Sequence, residues 1–250
     1  MALQEELESQ GNWLFRYRSF LPIAIVVVGW AMYLRRELHP EEFPLFLPEY
    51  EHLYLAVAMA VGLLGLAIRV YTVGFSPRNT SGRNTKVGQV ADTLNQTGIY
   101  SVVRHPLYLG NFLMWLGPAL VTANGWFILA FCFLYWVYYE RIMFAEEQFL
   151  RKKFGEVYLQ WSYGVPAFLP NFSNFTPSNF PFSWKKVLKK EKNGLAALFL
   201  IFCLFDASVL IFKPEHNPNL LLIGLCLGTG VLYLVLKVLK NSQLLVENDR

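Results

Sequence analysis

Two stretches of this chain hold polar residues whose types and spacing suit chemistry. The first is Arg104-His105-Pro106-Leu107-Tyr108-Leu109-Gly110, where Pro106 stands just before an apolar run. Proline at the first helical position fixes where a helix starts. The free N–H groups of that first turn, with Arg104 and His105 beside them, make a receptor for a carboxylate or phosphate. Gly110, one turn further on, leaves room for a bulky ligand or a neighbouring helix. The second stretch runs from Tyr135 and ends Glu140-Arg141-Ile142-Met143-Phe144-Ala145-Glu146-Glu147. Glu140, Phe144 and Glu147 share one helical face. Arg141 and Glu146 stand about 140° apart on a straight helix, so they suit flanking a ligand better than bonding each other. A plainer reading makes Arg104 and His105 anchors of a helix end and the charged cluster a set of lipid-headgroup contacts.

The elements that must position these residues are membrane helices. Of 250 residues, 54% are hydrophobic and 16% aromatic. The mean hydropathy of +0.33 is too high for an ordinary soluble domain of this size. The apolar residues gather into blocks: 20–34, 53–75, 107–122, 126–139, 195–212 and 220–238. Each approaches the ~20 residues that a helix needs to cross a bilayer. Ile23 to Val28 lacks the polar face of a helix in a soluble core. The expected fold is therefore all-α, a polytopic membrane bundle of about six transmembrane helices. A cleavable signal peptide is not expected, because the first block follows a polar stretch and lacks a small-residue cleavage site.

Charge orients the bundle. With a cytoplasmic N-terminus, Arg78, Arg83, Lys86, Arg104, Arg151 to Lys153, and the lysines at 185, 186, 189, 190 and 192 fall inside. Glu37, Glu41, Glu42, Glu49, Glu51 and Glu215 fall outside, with Arg35, Arg36 and Lys213 against the trend. The polar sites thus lie at the cytoplasmic face. The net charge of +4 suits loops beside anionic lipid and implies no nucleic-acid partner. Cys132, Cys203 and Cys226 lie inside apolar blocks without metal-ligand spacing, and no metal is expected.

The chain divides into an N-terminal segment with two spans (1–75), a central core (76–170), a linker (171–193), and two further spans with a tail (194–250). The core contains a polar loop and a tight helical hairpin turned at Thr122-Ala123-Asn124-Gly125. The loop, rich in turn formers and arginine, must be solvated or folded over something.

Five elements of the core, in order, resemble the isoprenylcysteine carboxyl methyltransferase and phospholipid methyltransferase superfamily. They are Gly98-x-Tyr100, Arg104-His105-Pro106-x-Tyr108-x-Gly110, Arg141 with Glu146-Glu147, Phe154-Gly155-x-x-Tyr158, and Val165-Pro166. The resemblance implies a membrane enzyme that binds S-adenosylmethionine between the hairpin and the following segment. It implies Tyr100, Arg104, His105, Pro106, Tyr108, Leu109 and Gly110 on one side of the cofactor, and Glu146 and Glu147 on another. The acceptor would be a lipid-like or prenylated molecule. Arg141 is the expected orienter of an acceptor carboxylate, and Glu146 or Glu147 the expected base for an amine. The chain departs from the pattern at Ala167, where many relatives are basic. Asp206, inside a later span, suits either a substrate contact or a pairing between helices. Two other readings stay open: an NADPH-dependent reductase of the sterol reductase type, and a non-catalytic membrane scaffold. Leu107 and Asn111 stand where a reductase is expected to carry asparagine and an acidic residue.

Overall fold

Local signals set the helix ends. Pro106 opens a helix with His105 as its cap residue, and Asn124 caps the next by accepting a hydrogen bond from the Phe127 N–H at 2.9 Å. The computed structural model describes residues 2–18, 20–43, 47–77, 80, 83–85 and 88–242. Among these, the helices are α1 (Leu3–Tyr17), α2 (Phe20–Leu38), α3 (Glu51–Phe75), α4 (Pro106–Val121), α5 (Gly125–Phe154), α6 (Glu156–Gly164), α7 (Trp184–Ser208) and α8 (Leu220–Asn241). One small antiparallel hairpin, β1 (Arg83–Thr85) and β2 (Gly88–Val90), lies in the loop before α4 and pairs Arg83 with Val90. Arg78, Lys86 and the neighbouring Asn79, Ser81 and Gly82 of that loop lie outside the described residues.

The all-α expectation holds, and among the described residues the count of about six spans is not confirmed. Helices α3, α5, α7 and α8 are long and apolar enough to cross a membrane, and the number becomes five if α1 and α2 form one bent span. Helix α4 has 16 residues. Between Pro106 and the Thr122 to Asn124 turn it rises only about 24 Å, short of a ~30 Å hydrocarbon core. Leu134, Val137, Leu227, Val231 and Val238 all stand exposed on α5 and α8, a surface that suits lipid. The chain has the build of a multi-pass integral membrane protein.

Small residues decide how α4 is held. A Cβ on Gly65 of α3 would stand 2.5 Å from the Gly110 carbonyl oxygen and 2.6 Å from the Met114 nitrogen, and one on Gly117 would stand 2.7 Å from the Ala58 carbonyl oxygen. The α3 and α4 backbones therefore touch along a glycine seam, the close approach that membrane helices use where no hydrophobic force separates helix from lipid. On the other side, α1 lies along the polar end of α5. The Tyr138 hydroxyl donates to the Leu14 carbonyl at 3.1 Å, and Lys152 Nζ pairs with Glu8 Oε1 at 2.5 Å.

The last two helices pack on each other, and α7 packs on α3. Helix α7 starts at Trp184, capped by Ser183, so the second half of the segment expected as a linker is helical. Asp206 near its end accepts from the Asn219 N–H at 2.7 Å and lies 3.1 Å from His216 Nε2. It joins α7 to the start of α8, as the pairing between helices requires.

The glycine seam gives a direct test. Gly65→Leu should destabilise the folded protein by about 1–3 kcal/mol or more through overpacking, lowering the thermal midpoint in detergent. Gly224→Ala on α8, where an added Cβ meets nothing within 4 Å, should leave the midpoint unchanged or slightly raised.

Candidate functional site

The site forms where the chain enters α4. Just before the helix, the backbone is pinned to the segment after α6: the Arg104 N–H donates to the Pro166 carbonyl at 2.9 Å and the His105 N–H to the Ala167 carbonyl at 3.1 Å. The Asn171 N–H donates to the Val102 carbonyl at 2.9 Å. The Val165-Pro166 element thus fixes the approach to the helix. Within the first turn, the Tyr108 and Leu109 N–H groups both donate to the His105 carbonyl, at 3.1 and 3.2 Å. The side chains of Arg104, His105 and Tyr108 stand beside this first turn.

Those side chains meet the end of α5. His105 is buried, with Nε2 at 2.9 Å from Glu147 Oε1 and Nδ1 at 3.7 Å from Glu146 Oε2. Arg104 Nε makes an ion-pair contact with the same Glu147 oxygen at 3.3 Å. The Tyr108 hydroxyl donates to Glu146 Oε2 at 2.9 Å, and the Tyr135 hydroxyl donates to the Tyr108 carbonyl at 2.7 Å. Beneath them the Tyr135 and Tyr139 rings stack at 4.1 Å. A carboxylate withdrawn from most of its solvent is costly unless compensated, and two cationic or protonatable partners reach the half-buried Glu147.

The remaining motif residues have structural reasons. Gly155 adopts φ +54°, which lets the chain break between α5 and α6 and turn Tyr158 under Glu147. Burial and the Glu147 charge push the Tyr158 phenol well above its ordinary range, so it stays protonated at every physiological pH. Burial and then the Glu146 charge push the Tyr100 phenol up in the same way. Trp161 Nε1 donates to the Tyr100 carbonyl at 3.2 Å and ties α6 to the turn that carries Tyr100.

A cavity of about 370 Å³ opens against this cluster. Of the residues expected to hold a cofactor, Tyr100, Arg104, His105, Pro106, Tyr108 and Glu146 line it. Glu147 sits behind His105 and orients it. Leu109 and Gly110 do not border the cavity, and Gly110 faces Gly65 and Arg69 of α3. Arg141 is not brought to the cavity either. Its Nη1 pairs with Glu140 Oε2 at 3.0 Å, while its carbonyl packs on Gly11 of α1. From the loop before α4, Thr80 and Gln89 to Ala91 line the cavity as well.

Other residues at the cavity were not anticipated. Arg69, Asn111 and Glu191 line it together, as do Phe15 and Arg18 from the N-terminal segment. An arginine inside the apolar block 53–75 was the available signal for Arg69, since an intramembrane charge marks function by default. Glu191 sits in a lysine-rich run and carried no such signal.

Comparison with known proteins places these residues. Residues 55–157 match the phospholipid methyltransferase family model. This segment, about two fifths of the chain, is what is similar to that family. It holds α3, α4, α5 and the entry to α6, and with them every side chain of the His105 to Glu147 cluster. Protein-S-isoprenylcysteine O-methyltransferase of Schizosaccharomyces pombe is 36% identical over 73 residues, which cover 29% of this chain and 31% of that protein. Protein-S-isoprenylcysteine O-methyltransferase B of Arabidopsis thaliana is 36% identical over 74 residues, covering 29% and 37%. The cobalt-zinc-cadmium resistance protein CzcN of Cupriavidus metallidurans is 28% identical over 115 residues, covering 46% and 50%. The matched stretch spans about a third of the length of the two methyltransferases. No solved structure matches the chain. The family segment does not build the cavity alone, because Arg18 comes from before it and Glu191 from after it.

The cluster predicts its own stability effect. Glu147→Ala removes the carboxylate that His105 and Arg104 share, and should cost about 1–3 kcal/mol. The readout is a lower thermal midpoint in detergent, with Glu147→Gln falling between the variant and the unaltered protein.

Proposed function

We propose that the chain is an integral membrane methyltransferase that moves a methyl group from S-adenosylmethionine to a lipid-like or prenylated acceptor, with its cavity on the cytoplasmic side. The observation that carries this reading is the convergence of the family's motif residues on one cavity wall. Tyr100, Arg104, His105, Tyr108 and Glu146 come together there, at the end of the helices where the apolar blocks stop. The orientation rests on charge: Arg151 to Lys153 and the lysines at the start of α7 lie at the cavity end. Glu37, Glu41, Glu42, Glu49 and Glu51 lie at the other.

The residues present fit the cofactor. It carries a carboxylate, an ammonium, ribose hydroxyls and a flat base. The cavity offers Arg104 and Arg18 for the first and the Glu146 carboxylate as an acceptor for the second or third. Glu146 is fixed by the Tyr108 hydroxyl, so its orientation is set before any ligand arrives. S-adenosylmethionine supplies, when bound, an electrophilic methyl group on a positively charged sulfur.

What the protein contributes is alignment and exclusion of water. Tyr108, held by Tyr135 and Glu146, forms a rigid floor, and Thr80 and Gln89 to Ala91 of the loop before α4 add to the wall. A carboxylate acceptor attacks as the anion and needs no base. An amine acceptor must lose a proton, and Glu146 is the carboxylate at the cavity wall near the expected methyl donor. Arg141, paired to Glu140 outside the cavity, takes no part in this scheme.

Membranes containing the protein, incubated with methyl-labelled S-adenosylmethionine and then separated into lipid and protein, test the reading. Label should appear in one fraction, as volatile methanol after base treatment for an ester or as base-stable label for an amine. Glu146→Gln should reduce incorporation by roughly tenfold or more through loss of a charge-assisted contact. Incorporation equal to that of membranes lacking the protein would overturn the proposal.

A further inference from the structure

A second cavity, of about 410 Å³, lies at the end of the bundle opposite the first. Its size falls within the roughly 300–1,000 Å³ of small-ligand sites. The walls come from the end of α2, the start of α3, the end of α7 and the start of α8. Among the described residues that line it, only Leu55 and Val121 fall in the segment that matches the family model. Its chemistry is therefore this chain's own. Tyr33, Phe202 and Phe205, all buried, make one side of it aromatic, with the Tyr33 and Phe205 rings 5.5 Å apart.

Ionisable side chains make the other side, and their charges do not cancel. Arg36 is buried, donates to the Val121 carbonyl at 2.5 Å and pairs with Glu37, so its charge is already matched. Glu51 Oε1 stands 3.8 Å from Arg36 Nη2, beyond hydrogen-bond reach, and the side chain is half-exposed. Asp206 is buried, with Oδ1 at 3.1 Å from His216 Nε2 and Oδ2 accepting from the Asn219 N–H at 2.7 Å. A carboxylate offers about four lone-pair sites, so each Asp206 oxygen has room for a further donor. Counting the histidines as neutral, the lining sets Glu51 and Asp206 against a guanidinium that Glu37 has taken. What it lacks is a cation. The link between α7 and α8 accounts for the two bonds of Asp206 and leaves Glu51 and the aromatic side unexplained.

We propose that this cavity binds an ammonium group carried on an apolar body, with Glu51 and Asp206 receiving the charge and Tyr33, Phe202 and Phe205 the apolar part. An ammonium has N–H donors for carboxylates from two helices, in bonds strengthened by charge on both sides. Aromatic faces also attract cations, and the Arg36 guanidinium already lies over the Tyr33 ring, 4.6 Å from its centroid. The headgroup of an ethanolamine lipid and a free arylalkylamine share this chemistry. The site stands apart from the methyl-transfer cavity and needs no part of it. Helices α7 and α8 thereby gain a role beyond packing.

Titration of the full-length protein in nonionic detergent provides the test. The free probes are phenethylamine, uncharged phenethyl alcohol and anionic hydrocinnamate, followed by calorimetry. The lipid probes are lysophosphatidylethanolamine and lysophosphatidylglycerol, followed by native mass spectrometry. In at least one set the ammonium member should bind about tenfold or more tighter than its counterparts. Preference in the first set marks a free amine as the source, and preference in the second a lipid. Glu51→Gln and Asp206→Asn should each reduce that preference by about threefold or more. Glu51 is half-exposed and holds no loop, so Glu51→Gln decides the matter if Asp206→Asn does not fold. Glu215→Gln, outside the lining, should leave the preference unchanged. No preference for either ammonium probe, or a preference that survives Glu51→Gln intact, overturns the proposal. So does a preference lost in His105→Ala, which would place the binding in the first cavity.

Discussion

The site depends on one half-buried carboxylate. Glu147 stands on the last turns of α5, where a charge must be paired, and its partners lie on a different element, just before α4. Because His105 and Arg104 both reach it, the two helices of the hairpin are tied at the end opposite their turn. That tie sets where α4 begins and therefore where Tyr108 presents its hydroxyl to Glu146. The backbone pairing of residues 104 and 105 with 166 and 167 then brings α6 and the following segment against the same point. Tyr100, Tyr158 and Trp161 are placed by these connections.

A second constraint acts from the other side of α4. The glycine seam presses α3 against α4, and the same absence of side chains lets Arg69 reach between them. Glycines that serve packing thus also serve electrostatics, since no larger residue at 110 would leave room for the arginine stem. Helix α7 is drawn in by Glu191, so the family segment and the helix beyond it share one cavity.

Much of this was legible in the residues. The apolar blocks, the hairpin turn at Thr122 to Gly125 and the helix start at Pro106 follow from types and spacing, whereas the resemblance put the arginine-histidine element and the paired glutamates at one pocket without showing that they pair with each other. The number of spans was not, because block length alone does not show that α4 stops short of a bilayer thickness. The division of labour inside the motif was not legible either. Leu109 and Gly110 share a motif with Tyr108, yet neither borders the cavity, and Gly110 is turned toward α3. Arg141 and Glu146 are separated by the same periodicity, which foretold that they would not bond each other but not which of them would face the ligand. Arg69 and Glu191 meet across 122 positions of chain, and no local pattern encodes such a contact.

The claim at the centre of this account is that the wall made by His105, Tyr108 and Glu146 holds S-adenosylmethionine. Equilibrium binding of S-adenosylhomocysteine and of NADPH to the purified protein, with and without His105→Ala, measures it most directly. The account predicts that the first ligand binds, that NADPH does not, and that His105→Ala weakens the binding by about tenfold or more, through loss of a charge-assisted contact that orients the wall. Binding of NADPH without S-adenosylhomocysteine, or binding of S-adenosylhomocysteine untouched by the substitution, would contradict it.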